Sequence, residues 1–310
     1  MKTLVVGGFG FIGARIAVAL HSAGHSVVLG TRSKRAVPDW LPQAAVQVLD
    51  WDSRSALQEA CTGIDAVVHA AGMNAGQCAS DPVAALQVNG VATARLVEAA
   101  ASASVSRFFY FSTAHVYSSP LVGEIDELSC PSNVHPYASS HRAGEYALLH
   151  ALSRSRLAGC VLRLSNGFGP PISTEADCWM LLVNDLCRQA ATTGKLVLQS
   201  SGAQMRDFVP LTNVCEGVVE LLKLPVRSLP PVLNVGSGNS LSVLAMAHLV
   251  QERCTAILGV TPSIEVGKRA EAAHPLRFTS LHEGLLGVAV ANPVPEVDQL
   301  LAFCRSHFIA

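Results

Sequence analysis

An excess of charge of either sign is the first thing this sequence lacks. Lysine and arginine total 22 of 310 residues and aspartate and glutamate 23, leaving a formal charge of −1. No polyanion-binding surface follows from such a balance, and nucleic acid is excluded as an expected partner. An uninterrupted apolar run of about 18 residues is also missing, so no membrane span is read. The nine cysteines are scattered, odd in number and never spaced CxxC. That excludes a disulfide framework and a zinc site, so no metal is expected and the thiols read as small buried hydrophobes. The opening MKTLVVGG moves into a strand and a glycine turn, not the long apolar region of a secretion signal, and the expected address is the cytoplasm. Repeats, low-complexity tracts and flexible linkers are absent too. With half of the chain apolar and only 15% charged, a disordered protein is excluded.

What is present is an alternation. Apolar strand candidates at 3–6, 26–29, 45–49, 65–69, 107–111 and 159–164 are separated by helical patterns at about 11–23, 53–60, 82–102 and 137–156. This spacing predicts βαβ units and an α/β fold, a Rossmann-type doubly wound parallel sheet. After about residue 166 the rhythm turns irregular. A helix is expected over 176–192, a strand near 195–199, a helix near 213–223, a strand at VLNVG 232–236, and helices near 242–258 and 295–307. A smaller C-terminal lobe is expected to pack on the first half across a cleft.

The strand at 3–6 runs into Gly7-Gly8-Phe9-Gly10-Phe11-Ile12-Gly13 and then a helical stretch. Glycines in this context let the chain turn sharply, let a pyrophosphate approach the backbone, and let the helix sit close to the strand. The helix N-terminus then offers N–H groups and the positive end of its dipole to the phosphates. A site preferring NAD has a carboxylate at the end of the second strand, for the ribose 2′-hydroxyl. Here that strand ends Gly30-Thr31-Arg32-Ser33-Lys34-Arg35. Arg32 suits a 2′-phosphate, so NADP(H) is expected over NAD(H). The alternative is a solvated basic loop.

GGFGFIG resembles the GxxGxxG fingerprint of the extended short-chain dehydrogenases/reductases, the NAD-dependent epimerase/dehydratase family, and further matches follow in order. LDWD at 49–52 looks like the adenine-contacting segment, with Asp50 and Trp51. VVHAAG looks like the strand lining the cofactor, with Ala70, Ala71 and Gly72. VNGVATARLVEAA resembles the family helix that opens with an asparagine, here Asn89. FSTAHVYS resembles the segment of the catalytic Ser/Thr, and RLSNGFGPP the strand leading to the substrate lobe. GAQMRDFVPLTNV and LNVGSG resemble late blocks of the sugar-nucleotide branch.

The resemblance implies a tyrosine that passes a proton to or from the substrate oxygen, a Ser/Thr hydroxyl bonded to that oxygen, and a lysine one helical turn after the tyrosine. That cation lowers the phenol's pKa and holds the nicotinamide ribose. In HPYASSHRAGE, Tyr137 and Thr113 match, but the lysine position holds His141. An imidazole is shorter and mostly neutral at neutral pH. An oxidised nicotinamide, however, brings positive charge of its own. Adjacent Arg142 points about 100° away around the helix and does not replace the ammonium. His115, two residues after Thr113, is the group to which proton chemistry would have moved, and a satisfied noncatalytic histidine is its alternative reading. The dehydratase acid/base pair is replaced by Ala114 and His115, which argues against dehydratase chemistry.

By the same resemblance Arg206 and Asn166 face a sugar diphosphate, although an Arg206–Asp207 surface pair also fits. Lys195, Arg188 and Arg277 read as solvated charges. The expected division is 1–166 with about 203–236 for the dinucleotide, and about 167–202 with 237–310 for the substrate. The function implied is NADP-dependent oxidation or reduction at a carbonyl/carbinol centre of a nucleotide-activated sugar. A C4 epimerase with tightly bound cofactor and a catalytically impaired NADP(H)-binding regulatory protein are the alternatives. A homodimer through the helices near 82–102 and 137–156 is implied by the family; their apolar faces fit burial on the sheet equally well.

Overall fold

The computed structural model describes residues 1–270, 273–282, 284–285 and 291–308. In chain order the first half forms β1 (Lys2–Val6), α1 (Phe11–Ser22), β2 (Ser26–Thr31), β3 (Ala45–Val48), α2 (Arg54–Cys61), β4 (Ala66–His69), α3 (Ala75–Ser80), α4 (Pro82–Ala85), α5 (Thr93–Ser102), β5 (Arg107–Thr113), β6 (Gly123–Ile125), α6 (Pro136–Arg154) and β7 (Ala158–Leu164). The second half adds β8 (Asn166–Phe168), α7 (Leu182–Thr193), β9 (Lys195–Leu198), β10 (Met205–Pro210), α8 (Leu211–Lys223), β11 (Val232–Val235), β12 (Ser240–Ser242), α9 (Val243–Leu258), β13 (Ser263–Val266), β14 (Leu276–Phe278) and α10 (Val294–Phe308).

Seven strands make one parallel sheet in the order β11-β7-β5-β4-β1-β2-β3. This is the α/β doubly wound architecture that the alternation implied. Its interior strands are apolar without a break because both faces are covered: Ala66, Val67 and Val68 of β4 are fully buried. One face packs on Ile16, Ala17 and Leu20 of α1 and Val214, Val218 and Leu221 of α8, the other on Leu57 of α2, Leu96 of α5 and Leu148 of α6. Strand order reverses between β1 and β4, so a crevice opens at their carboxyl ends, where such sheets take their ligands. A separate core joins Leu186 of α7, Met246 and Val250 of α9, and Leu300 and Leu301 of α10.

Several elements differ from expectation. The helix expected from 176 starts at Leu182, because residues 176–181 form tight turns that bring Met180 and Leu181 to the wall of the crevice. The run 82–102 is not one regular helix: Leu86–Ala92 winds as a π-helix between α4 and α5. Strand β10 escaped the pattern because its apolar run is interrupted by Arg206 and Asp207. Of the nine cysteines, none is paired and only Cys130 is exposed.

One buried ionic network ties the elements that carry the site. Glu145 of α6 receives Arg163 of β7 through two bonds of 3.0 and 2.7 Å, and the Ser112 hydroxyl of β5 at 2.6 Å. The remaining Arg163 arm donates to the Tyr117 hydroxyl at 2.8 Å, which in turn donates to Asn234 of β11 at 2.8 Å. Removing one partner of a buried pair strands the other charge away from water, at a cost of about 3–5 kcal/mol. Glu145→Ala is therefore expected to lose about that much unfolding free energy in urea denaturation. A loss below about 1 kcal/mol, the range of surface pairs, would refute the network's role.

Candidate active site

The turn between β1 and α1 has the geometry that a phosphate cradle needs. Gly7 adopts φ +83°, a region that side chains disfavour. A Cβ at Gly13 would lie 2.2 Å from the Gly7 carbonyl oxygen, so only glycine lets α1 approach the turn so closely. Gly10 caps α1 with no side chain over the first-turn N–H groups. The end of α1 therefore stays open to an anion, and its dipole favours one. Beside this turn a groove of about 340 Å³ is lined by Phe9, Gly10, Arg35 and Trp40, and the Arg35 guanidinium lies 5.0 Å over the Phe9 ring. Arg32 is exposed just beyond β2. Asp50 is exposed after β3 and caps its own turn by accepting from the Asp52 N–H at 3.1 Å; half-buried Trp51 packs against His69.

A cavity of about 450 Å³, within the range of ligand sites, occupies the crevice. Phe11, Ile12, Ala70, Ala71 and Gly72 form its wall toward the turn. Thr113, His115, Tyr137 and His141 line its centre, and Asn166 and Arg206 its far side. These residues come from α1, β5, α6, β8 and β10 and from the turns after β4 and β5, and the fold brings them to one space. Asn89 lies elsewhere. It is fully buried, accepts the Met73 N–H at 2.8 Å and donates to the Ser140 hydroxyl at 3.0 Å, which fastens the loop after β4 to α6.

Burial sets the electrostatics. His141 has its pKa lowered to about 4 by desolvation, so the imidazole is neutral at neutral pH. Its ring meets Tyr137 edge to face at 4.6 Å. Burial raises the Tyr137 phenol above its ordinary value, and the Thr113 hydroxyl offsets part of that rise. Burial lowers His115 as well, reinforced by the nearby Arg206 charge. Arg142 is directed elsewhere, to the Pro131 carbonyl at 3.2 Å and to Glu145 at 3.4 Å.

On β10, successive side chains point to opposite faces. Asp207 turns inward, accepting from the Ser237 N–H at 2.9 Å and its hydroxyl at 2.7 Å, while Arg206 faces the cavity and donates to Gln204 at 2.9 Å. The Asn166 amide donates to the Asp207 carbonyl at 2.8 Å. Lys195 and Arg277 are exposed and face Glu265 and Glu124, and Arg188 faces Asp185. Sequence reasoning missed Arg15, which reaches the Pro170 carbonyl at 2.8 Å and Glu296 of α10 at 3.0 Å, clamping α1 to the last helix. Partners so distant in the chain leave no local signal.

The model of the NAD dependent epimerase/dehydratase family matches residues 3–236. The chain belongs to this family. The dTDP-6-deoxy-L-talose 4-dehydrogenase (NAD(P)(+)) of Kitasatospora kifunensis is 35% identical over 257 residues, 81% of this chain and 78% of that protein. The dTDP-D-glucose 4,6-dehydratase of Homo sapiens is 31% identical over 166 residues, 53% of this chain and 45% of that one. Among solved structures, MoeE5 in complex with UDP-glucose and NAD superposes with a TM-score of 0.80 at 24% identity, covering 99% of both chains. The UDP-glucose 4-epimerase of Thermotoga maritima gives 0.81 at 19% identity over 99% of each chain. Family membership matches the fold, the glycine turn and the order of the sequence blocks.

The neutral imidazole of this family member has a consequence for stability. An unfolded histidine takes up its proton below about pH 6.5, whereas folded His141 does so only near 4. Between these values acid favours the unfolded chain, so stability falls as pH drops. At pH 5 this site accounts for about 2 kcal/mol of the loss relative to pH 7. His141→Gln is expected to lose about that much less than wild type in urea denaturation at the two pH values. Equal losses would contradict the assignment.

Proposed function

We propose that this family member is an NAD(P)-dependent oxidoreductase acting at a carbonyl/carbinol centre of a nucleotide-activated sugar. The observation that carries the reading is the single cavity holding Tyr137, Thr113 and His141 between the glycine turn and the Arg206–Asn166 side. The dinucleotide would lie on Gly7–Gly13 and the Ala70–Gly72 wall, with Asp50 and Trp51 toward its adenine and His141 toward its nicotinamide ribose. A bound nicotinamide supplies hydride acceptance and donation at the sugar carbon. Thr113 holds the substrate oxygen by a hydrogen bond, and Tyr137 takes its proton or returns it. Arg206 offers a guanidinium to the diphosphate, with Asn166 beside it. Residues 1–166 with 203–236 then serve the dinucleotide, and 167–202 with the described part of 237–310 serve the sugar.

With position 141 uncharged, the positive charge that makes Tyr137 a usable base comes with the oxidised coenzyme. The relative from Kitasatospora, named for a dTDP-sugar 4-dehydrogenase using NAD(P), supports the reading. NADP(H) is favoured over NAD(H) because Arg32 stands just beyond β2, where a carboxylate would select the free 2′-hydroxyl. C4 epimerisation would use the same side chains. A homodimer through the α4–α5 run and α6 is supported by exposed Val83, Leu86, Val91 and Tyr146 on these segments.

Turnover of NAD(P)⁺ with a panel of dTDP- and UDP-hexoses tests the reaction. Tyr137→Phe is expected to lower kcat by about 10²–10⁴-fold with dinucleotide binding retained; unchanged turnover would remove Tyr137 from the mechanism. By calorimetry NADP⁺ should bind more tightly than NAD⁺, with Arg32→Asp reversing the order. Tighter NAD⁺ binding by the wild type would refute the preference.

A further inference from the structure

The two ring nitrogens of His141 have different surroundings. Nδ1 lies 2.9 Å from the hydroxyl oxygen of Tyr110, a fully buried residue of β5. The same hydroxyl reaches the Asn89 carbonyl oxygen at 3.3 Å, inside the π-helical segment. Gly144 of α6 makes room for this meeting: a Cβ there would stand 2.7 Å from both the Asn89 oxygen and the Tyr110 oxygen. His141 is part of the cavity lining, and its Cε1–Nε2 edge is the one turned toward Gly72 of the same lining, where a Cβ would lie 3.7 Å from Nε2.

A phenol has one proton to give, and a carbonyl oxygen only accepts. With the Tyr110 proton on Asn89, the phenol oxygen accepts from its other neighbours, the Thr93 hydroxyl and His141, and the His141 contact is a hydrogen bond only if the imidazole donates from Nδ1. The reverse order, with Tyr110 donating to Nδ1, would deprive the Asn89 carbonyl of that proton and place an N–H on the cavity side. In a neutral imidazole the nitrogen opposite the N–H carries the lone pair.

We infer that Tyr110 is a positioning residue that holds His141 as its Nδ1–H tautomer, so that Nε2 accepts a hydrogen bond from a ribose hydroxyl of the bound dinucleotide. The ribose half rests on the coenzyme reading above. A lysine at position 141 would be a donor only, so the imidazole reverses the polarity of this contact. The ribose hydroxyl then donates to the protein instead of accepting from it, and its own lone pairs stay free toward Tyr137.

Nitrogen NMR of ¹⁵N-histidine-labelled protein, with His141 assigned by its loss in His141→Gln, tests this without any sugar. The free wild type should show a protonated Nδ1 and an unprotonated Nε2 at neutral pH; the opposite pattern overturns the inference. NAD⁺ should move the Nε2 signal without protonating it. In Tyr110→Phe both tautomers should be populated and NAD⁺ affinity should fall about 3- to 10-fold; a tautomer ratio equal to wild type overturns the role of Tyr110. Should Tyr110→Phe fail to fold, the wild-type spectrum decides, and the opposite tautomer in it overturns the role of Tyr110. The expected tautomer in a protein that takes up neither NADP⁺ nor NAD⁺ overturns the coenzyme reading and the ribose contact with it, but not the hold of Tyr110 on His141.

Discussion

An imidazole taken out of water beside a phenol stays uncharged, and the cavity's chemistry depends on that desolvation. His141 sits on the same helical face as Tyr137, one turn later, where its family resemblance leads one to expect a lysine ammonium. A fixed ammonium would hold the phenol in a reactive state at all times. A neutral imidazole does not, and burial pushes Tyr137 the other way. On the proposed reading the site gains its positive charge with the coenzyme, which would couple occupancy of the dinucleotide site to the proton affinity of the tyrosine.

That coupling requires the tyrosine, the threonine and the histidine to be held in register, and the network around Glu145 does this. Ser112 precedes Thr113 on β5, and Glu145 follows His141 by one turn on α6. One carboxylate therefore fastens the segments that carry Thr113 and His141 to β7 through Arg163. Arg15 and Glu296 do the corresponding work at the other wall, fixing the start of α1 against the last helix. The strand order supplies the crevice, and these two ionic contacts set the relative positions of its walls.

Much of this was legible in the sequence where the physics is local. The glycine spacing, the strand before it and the helix after it lie within a dozen residues, and the turn formed as read. Tyr137, Thr113, His115, Asn166 and Arg206 were singled out from sequence blocks, and the fold brings them to one cavity. What stayed hidden involves buried polar groups whose partners are distant in the chain. Tyr110 read as one more apolar residue of RFFYF, although its hydroxyl is its important part. Asn89 was singled out from its sequence block, but its bonds to Met73 and Ser140, which fasten the loop after β4 to α6, left no local signal. The π-helical segment left no periodic signal, since a one-residue widening of a helix barely changes its apolar spacing. Asp207 broke the apolar run of β10 and so concealed a strand in which it is a fully buried acceptor.

Ultraviolet titration of the Tyr137 phenol, taken as the difference between wild type and Tyr137→Phe, tests the central claim directly. The account predicts a phenol that ionises above its ordinary value in the free protein and at lower pH once NAD⁺ or NADP⁺ is bound. Ionisation near neutrality without coenzyme, or a midpoint that NAD⁺ leaves unmoved, would contradict it.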